Sequence, residues 1–496
     1  GVRPRGEGGR GDVGVQGGRA VTRRAVSADR SSSPPRWLFP ALIAVATALA
    51  FRTALSARFL TWDDLDNFVL NDNYRGLGWT NLKWMFTAIH MGVYIPLTWL
   101  SCAFDYELWG MNAAGYHLTN LVLHALNAVL VFRIAAALYD GEFAAERSWL
   151  TDFSAAGAAL LFALHPLRVE SVAWVTERRD VLSGFFFLAA VRFHLQGRRK
   201  AAVGAFGFSL LSKATGVSLP ALLLVLDFYR APRMDRRAWV ATLREKIPFL
   251  LLSVPFAVVA LLGQAEKGAA KSWSAFGLTE RLAVSSRSAL FYLYRTAWPF
   301  HLSPLYRLPP FEKLNLWPFP AYVVLTALAT VLAVLRARKQ PALASAWFWY
   351  LLALFPLSGF FQSGGQLAAD RYSYIPCLSW AVFAGGLLRE IFRRRTDVRL
   401  RVGAGAALVV LIAGLGFLAD RQTRVWRDSV SFWSYVVSED PGSPAARNNL
   451  GATLAQRGDL KDAVKEFRET LRLDPGREDA RLNLVKALGL LNSRNR

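Results

Sequence analysis

Apolar runs long enough to cross a bilayer, repeated along the chain and separated by basic loops, leave few folds open. Hydrocarbon offers no partner for backbone N–H and C=O groups, so such runs fold as helices. The first covers Trp37 to about Ser56. A long basic region precedes it and no small-residue cleavage site precedes Arg58, so it reads as a signal anchor. Further runs fall at roughly 117–138, 152–165, 181–195, 201–212, 215–229, 247–263, 318–335, 342–358, 374–391 and 402–419. The expectation is a mainly α, polytopic membrane helix bundle of eleven crossings. Residues 282–300 are also apolar but contain Arg287 and Arg295, and they read as an interfacial or re-entrant helix.

Charge sets the orientation. Segments 192–200, 230–246, 336–339 and 389–401 are strongly basic, whereas 52–115 carries more acids than bases. Basic loops stay cytoplasmic, so the first long loop faces outward, as does the chain after Ala419. The acidic loop 139–152 runs against this bias. Residues 1–36, rich in Gly, Arg and Ser, read as a disordered cytoplasmic tail. The net charge of +23 is explained by the same retention of basic residues, and no nucleic-acid motif is present. The 17 Trp and 33 Phe suit a protein with many membrane boundaries.

The chain ends in a repeat. Arg447-x2-Leu450-Gly451-x2-Leu454, Ala463-x3-Phe467 and Pro475 follow the 34-residue tetratricopeptide pattern. Trp433 and Pro441 precede Phe467 and Pro475 by one period, and Leu484 and Leu488 follow Leu450 and Leu454 by one. Three regions are therefore expected: the tail 1–36, a membrane domain 37–420 and a repeat module 421–496. So few repeats cannot bury their faces alone, and the module packs on the membrane domain or continues in a longer chain.

Chemistry-bearing residues cluster on the predicted outer face. Asp63 and Asp64 follow Thr61-Trp62 directly after the first span, where a carboxylate can take or orient a hydroxyl proton. Paired acids can also hold a divalent cation or simply cap a turn. Arg178, Arg179 and Asp180 close a later outer loop, and Asp370-Arg371-Tyr372 another. Lys213 stands between two short apolar segments. Arginine and lysine here can hold a lipid phosphate, or form ordinary interfacial ion pairs. His117, His124 and His165 are expected to pack rather than bind metal, and Cys102 and Cys377 lack metal-ligand spacing.

Taken together, Thr61-Trp-Asp-Asp64, Gly115-Tyr-His-Leu-Thr-Asn120, Leu123-His-Ala-Leu-Asn127, Ala163-Leu-His-Pro166 and Val169-Glu-Ser-Val-Ala-Trp174 resemble a known family. Arg178-Arg-Asp180, Ser212-Lys213, Asp370-Arg-Tyr-Ser-Tyr-Ile-Pro376 and the repeats complete the likeness. The family is the transmembrane and tetratricopeptide-repeat-containing O-mannosyltransferases and their bacterial relatives, within the C-type glycosyltransferases. The resemblance implies an inverting transferase that uses a polyprenyl- or dolichyl-phosphate sugar and requires no cofactor. It implies catalysis at Asp63 and Asp64, with Arg178, Arg179, Lys213 and Arg371 near the donor phosphate and His165, Asp180 and Asp370 in support. The expected acceptor is a protein hydroxyl held by the repeats, with a lipid-linked glycan as the alternative, at a bacterial inner membrane or an endoplasmic reticulum. The chain departs from the family pattern at Glu177-Arg178-Arg179-Asp180 and Ser212-Lys213-Ala-Thr. A non-catalytic scaffold and a transporter are the rival readings; the latter requires an internal symmetry that the sequence does not show.

Overall fold

The computed structural model describes Gly1 and residues 35–494, except 141–147, 267–271, 274–275, 310–313, 315, 363 and 396. Residues 2–34 of the basic tail and residues 141–147 of the acidic 139–152 loop lie outside the described residues. The protein is mainly helical. Helix α1 (Leu38–Phe51) continues as a 3-10 turn to Ser56. The segment beyond it carries α2 (Trp79–Thr87) and α3 (Pro96–Trp109). These pack around Phe68, Tyr74, Trp99 and Tyr116.

Helix α4 (Ala113–Asp140) has 28 residues. At 1.5 Å per residue it reaches about 42 Å, longer than a hydrocarbon core of about 30 Å. Helix α5 (Trp149–Ala163) packs on it, and the two helices bury small residues that include Ala135, Ala136, Ala155, Ala158 and Ala159. Small side chains let the two backbones approach. After Ala163 the chain bends by 58° into Pro166–Ala173, which contains the short α6 (Val169–Ala173). Helices α7 (Arg178–Leu195) and α8 (Arg199–Ser212) form a hairpin. Extended backbone at Lys213 stops α8, and a 3-10 turn leads into α9 (Leu219–Arg230). The amphipathic α10 (Arg236–Glu245) and the apolar α11 (Ile247–Glu266) follow.

Helix α12 (Leu278–Ala297) packs on α13 (Phe319–Arg336). Next come α14 (Pro341–Leu354), α15 (Leu378–Arg394) and α16 (Val398–Thr423). A Cβ at Gly385 of α15 would meet the Tyr139 hydroxyl at 2.5 Å and the Ser154 carbonyl oxygen at 2.7 Å, so only glycine allows this approach to α5. Strands β1 (Tyr306–Arg307) and β2 (Gln366–Ala368) pair antiparallel, Tyr306 with Ala368 and Arg307 with Gln366, and lead into Asp370. Helices α17 (Ser429–Glu439), α18 (Pro444–Arg457), α19 (Leu460–Leu473) and α20 (Glu478–Arg494) close the chain. The Phe467 ring lies where a side chain on Gly451 would stand.

Each expected run falls on a helix, but fewer helices than expected have the length and composition to cross a membrane. Among the described residues five do: Leu38–Ser56, Ala113–Asp140, Ile247–Glu266, Phe319–Arg336 and Val398–Trp426. Counting the bent pair Trp149–Ala163 and Pro166–Ala173 as one span gives up to six. The shortfall against eleven has a physical origin. Helices α8, α9 and α14 have 14, 12 and 14 residues, and α7 carries Arg178, Arg179, Asp180 and Arg192 within its 18. The Lys213 break divides what the sequence offers as two neighbouring runs.

Candidate active site

The loop after α1 is tied down by its second acid. Asp64 is fully buried. Its Oδ1 accepts the Thr176 backbone N–H at 3.0 Å and the Thr176 hydroxyl at 2.6 Å, and Oδ2 accepts the Leu60 N–H at 3.0 Å. Burial pushes this carboxyl up to about 6, against the downward pull of the Thr176 and Leu60 hydrogen bonds. Trp62 stacks on Trp174 with ring centroids 4.5 Å apart and planes 7° apart. On its other side it meets Phe432 and Trp433 of α17. The Thr61 N–H donates to the Ser429 hydroxyl at 2.8 Å. Asp63 is left half-buried; Glu177 chiefly, and Asp63 to a lesser degree, outweigh burial and raise the affinity of the Arg179 guanidinium for its proton. Asp66 is exposed.

Thr176 anchors Asp64, and the next residue, Glu177, is an anionic hub. It is fully buried. Its carboxylate takes Arg179 at 2.6 Å, Lys213 at 2.9 Å and Arg371 at 3.2 Å. Burial alone would raise this carboxyl, but Arg179, Lys213 and Arg371 outweigh it and hold the group well below the usual carboxylate range. Lys213 also donates to Asp180 at 2.6 Å, and Asp180 accepts the Ser171 hydroxyl at 3.1 Å. Burial pushes Asp180 up to about 6 despite Lys213. Arg371 bonds Glu170 through its side chain and, at 2.9 Å, through its backbone N–H. A cavity of about 30 Å³, room for roughly one water, lies beside Asp180 and Arg371 and is lined also by Ser218 and Tyr372.

Three of the four expected phosphate ligands, Arg179, Lys213 and Arg371, thus converge. Arg178 does not. Its guanidinium is fully buried against Asn120, Ser101 at 2.8 Å, Asp105 at 2.5 Å and the Tyr116 carbonyl at 2.8 Å. It starts α7 pointing away from Glu177 and braces the fold. Asp370 is buried, accepts the Tyr306 hydroxyl at 3.0 Å, and is pushed up by burial and by Glu170. His165 makes two hydrogen bonds, a distant one to the Thr296 carbonyl of α12 at 3.1 Å and a local one from the Leu167 N–H at 3.2 Å. His124 is held by the Tyr374 hydroxyl and the Ala163 carbonyl, and His117 is buried. Cys102 and Cys377 are both buried and free.

Sequence reasoning did not single out Thr176, Glu177 or Glu170. The available signal was an acid among apolar residues, as in Val169-Glu170-Ser-Val172, which must find a partner when buried.

No family model matches the chain. Protein O-mannosyl-transferase F38B6.6 of Caenorhabditis elegans is 26% identical over 393 residues, covering 78% of this chain and 54% of that protein. Other curated proteins to which this chain is similar are likewise protein O-mannosyl-transferases. Among them, Tmtc3 of Drosophila melanogaster is 22% identical and TMTC1 of Homo sapiens 24%, over 80% and 90% of this chain. The chain spans about half the length of these homologues, 50% of the fly protein and 56% of the human one. Two solved structures of ArnT from Cupriavidus metallidurans align over 92% and 91% of this chain, with TM-scores of 0.36 and 0.38 at 16% and 17% identity. The first of these is bound to undecaprenyl phosphate.

Proposed function

We propose that this chain is an integral membrane glycosyltransferase. It moves mannose from a polyprenyl- or dolichyl-phosphate donor to a Ser or Thr hydroxyl of a protein, on the outer face of the membrane. One observation carries the reading. The two hydrogen bonds from Thr176 to Asp64 bolt the acidic loop to the segment holding Glu177, and Asp63 lies within electrostatic reach of Arg179 in the Arg179–Lys213–Arg371 cluster. A carboxylate and a group of cations side by side are what transfer from a phosphate leaving group needs.

In this mechanism Asp63 takes the proton of the acceptor hydroxyl, whose oxygen attacks the anomeric carbon. The carbon–oxygen bond to phosphate breaks on the opposite face of the sugar, inverting its configuration. Lys213 and Arg371 exchange part of their hold on Glu177 and Asp180 for the departing lipid phosphate. Asp64 is a positioning residue, since both its oxygens are already engaged. The helices after Ser429 touch the acidic loop, so an acceptor they hold would be delivered next to Asp63.

One observation favours the rival scaffold reading: each of the three cations is already paired with an acid. The deciding experiment is transfer by purified protein from polyprenyl-phosphate mannose and from other lipid-linked sugars. Mannose transfer that falls at least 100-fold in Asp63→Asn is expected, in line with loss of a general base. Transfer unchanged in that variant removes the mechanism, and no transfer from any donor leaves the scaffold.

A further inference from the structure

Between α9 and α11 the chain forms a helix, α10 (Arg236–Glu245), that buries none of its residues. Its sequence, Arg-Arg-Ala-Trp-Val-Ala-Thr-Leu-Arg-Glu, is nonetheless amphipathic. At about 100° per residue, Trp239, Leu243, Arg236, Val240, Arg244 and Arg237 fall within an arc of about 160°. Ala238, Ala241, Thr242 and Glu245 make up the remainder. Glu245 pairs with Arg199 at the start of α8, which turns that side of α10 toward the bundle and the arc away from it. Val240 and Leu243, on the arc, are 41% and 49% exposed.

The arc is cationic as well as apolar. Arg236, Arg237 and Arg244 are exposed, as are Arg230 and Arg233 ahead of the helix, and none of the five forms an ion pair among the described residues. The acids of the region are already engaged. Asp227 is held by His194 and Lys246, Glu245 by Arg199, and Asp235 caps α10 by accepting the Ala238 N–H at 2.7 Å. A face with free arginines and no acid of its own complements an anionic surface. Its apolar part continues into hydrocarbon. Ile247 follows Leu243 by four residues and is 49% exposed, and it opens α11, one of the five helices long and apolar enough to cross a membrane. Leu250, Leu251, Val254 and Val258 extend the exposed apolar surface along α11.

We propose that α10 docks on the surface of an anionic leaflet. Trp239, Val240 and Leu243 enter the boundary between headgroups and acyl chains, and Arg236, Arg237 and Arg244 snorkel to the charged headgroups. An acidic protein segment would match the arginines equally well. It would not explain why the apolar residues of α10 run on into those of a membrane-length helix, and this continuity decides for lipid.

The test uses full-length protein in nanodiscs of phosphatidylcholine alone or mixed with phosphatidylglycerol. An environment-sensitive fluorophore is attached at Leu243→Cys or, on the other side of α10, at Ala241→Cys, with the unsubstituted protein as the labelling background. With phosphatidylglycerol present, the probe at 243 should shift to the blue and be quenched by brominated acyl chains, while the probe at 241 stays in water. The ratio of docked to undocked helix should rise about five-fold per engaged arginine, the value of one basic residue near an anionic leaflet. Replacing Arg236, Arg237 and Arg244 together by Gln should abolish the response, and replacing them by Lys should keep it, which separates charge from folding. A probe at 243 that stays in water in both nanodiscs overturns the proposal and leaves the face to an acidic protein segment. Equal docking in both nanodiscs, or a response that survives the Gln substitutions, overturns it too. No sugar transfer is read, so the outcome is independent of the proposed activity.

Discussion

Replacing Asp64 by Asn keeps its volume and leaves one oxygen to serve Thr176, but sets an amide NH2 against the Leu60 N–H. One hydrogen bond is lost and a buried donor is left facing a donor, a change worth about 1–3 kcal/mol. pH modifies that cost. Burial raises the folded-state pKa of Asp64 to about 6 from the ordinary carboxylate value of 3.8. A raised carboxylate contributes stability that is full below its unfolded pKa and is lost as pH rises through the folded one. The displacement corresponds to on the order of 3 kcal/mol. The stability difference between wild type and Asp64→Asn should therefore grow in favour of wild type as pH falls from 7 to 4, measured by thermal unfolding. A flat difference would mean that Asp64 does not titrate in this range. Asp63→Asn, by contrast, should lose activity. The sequence offers both acids as candidates but cannot separate them, because the partner that buries Asp64, Thr176, lies 112 residues away. The same limit hides Arg178: adjacent to Arg179 in sequence, it leaves on the opposite face of the α7 start, toward Asp105. Glu177→Gln tests the hub. Removing one charge of a buried network leaves its partners uncompensated, so a loss of about 3–5 kcal/mol is expected. A melting temperature within error of wild type would show that Asp180 and Glu170 suffice to hold the cations.

At the scale of elements, hydrophobic runs located the helices well, because periodicity and length are local properties. What joins the elements was less legible. The break at Lys213 is visible as a charge between two apolar stretches, yet only the fold shows that it delivers the ammonium to Glu177 and Asp180. The 34-residue period places α17 to α20, but not that α17 seals the acidic loop through Trp62. Trp62 joins the membrane part, through Trp174, to the C-terminal helices, through Phe432 and Trp433. Trp62→Ala should cost about 3 kcal/mol, the lower end for a large aromatic because the ring is only half-buried. It should also speed proteolytic release of the C-terminal helices. Wild-type proteolysis kinetics in this variant would show that Ser429 and Arg427 hold the two parts together without the ring.

For the whole molecule, the number of crossings and the side of the C-terminal helices are one question. The Arg58 N–H, just past α1, donates to the Arg427 carbonyl, just past α16, at 2.9 Å. If α1 and α16 both cross the membrane, their C-terminal ends leave at the same face. The chain then makes an odd number of crossings, whichever of the shorter helices take part. Five and eleven satisfy this and six does not, so the bent pair through Pro166 cannot be the one addition to the five long helices. Its 58° turn buries Glu170 in the ion cluster, which fits a segment that enters and turns back. From the excess of Lys and Arg in 230–246, 336–339 and 389–401 we propose that the face opposite Asp63 is cytoplasmic. A reporter fused after Arg494 should therefore act as an outer-face fusion, active as a phosphatase and dark as a fluorescent protein that folds only in the cytoplasm. A fluorescent fusion at that position would mean that the C-terminal helices cannot meet an acceptor beside Asp63 from the outer side. The carboxylate and the cations would then face the cytoplasm, and the donor with them.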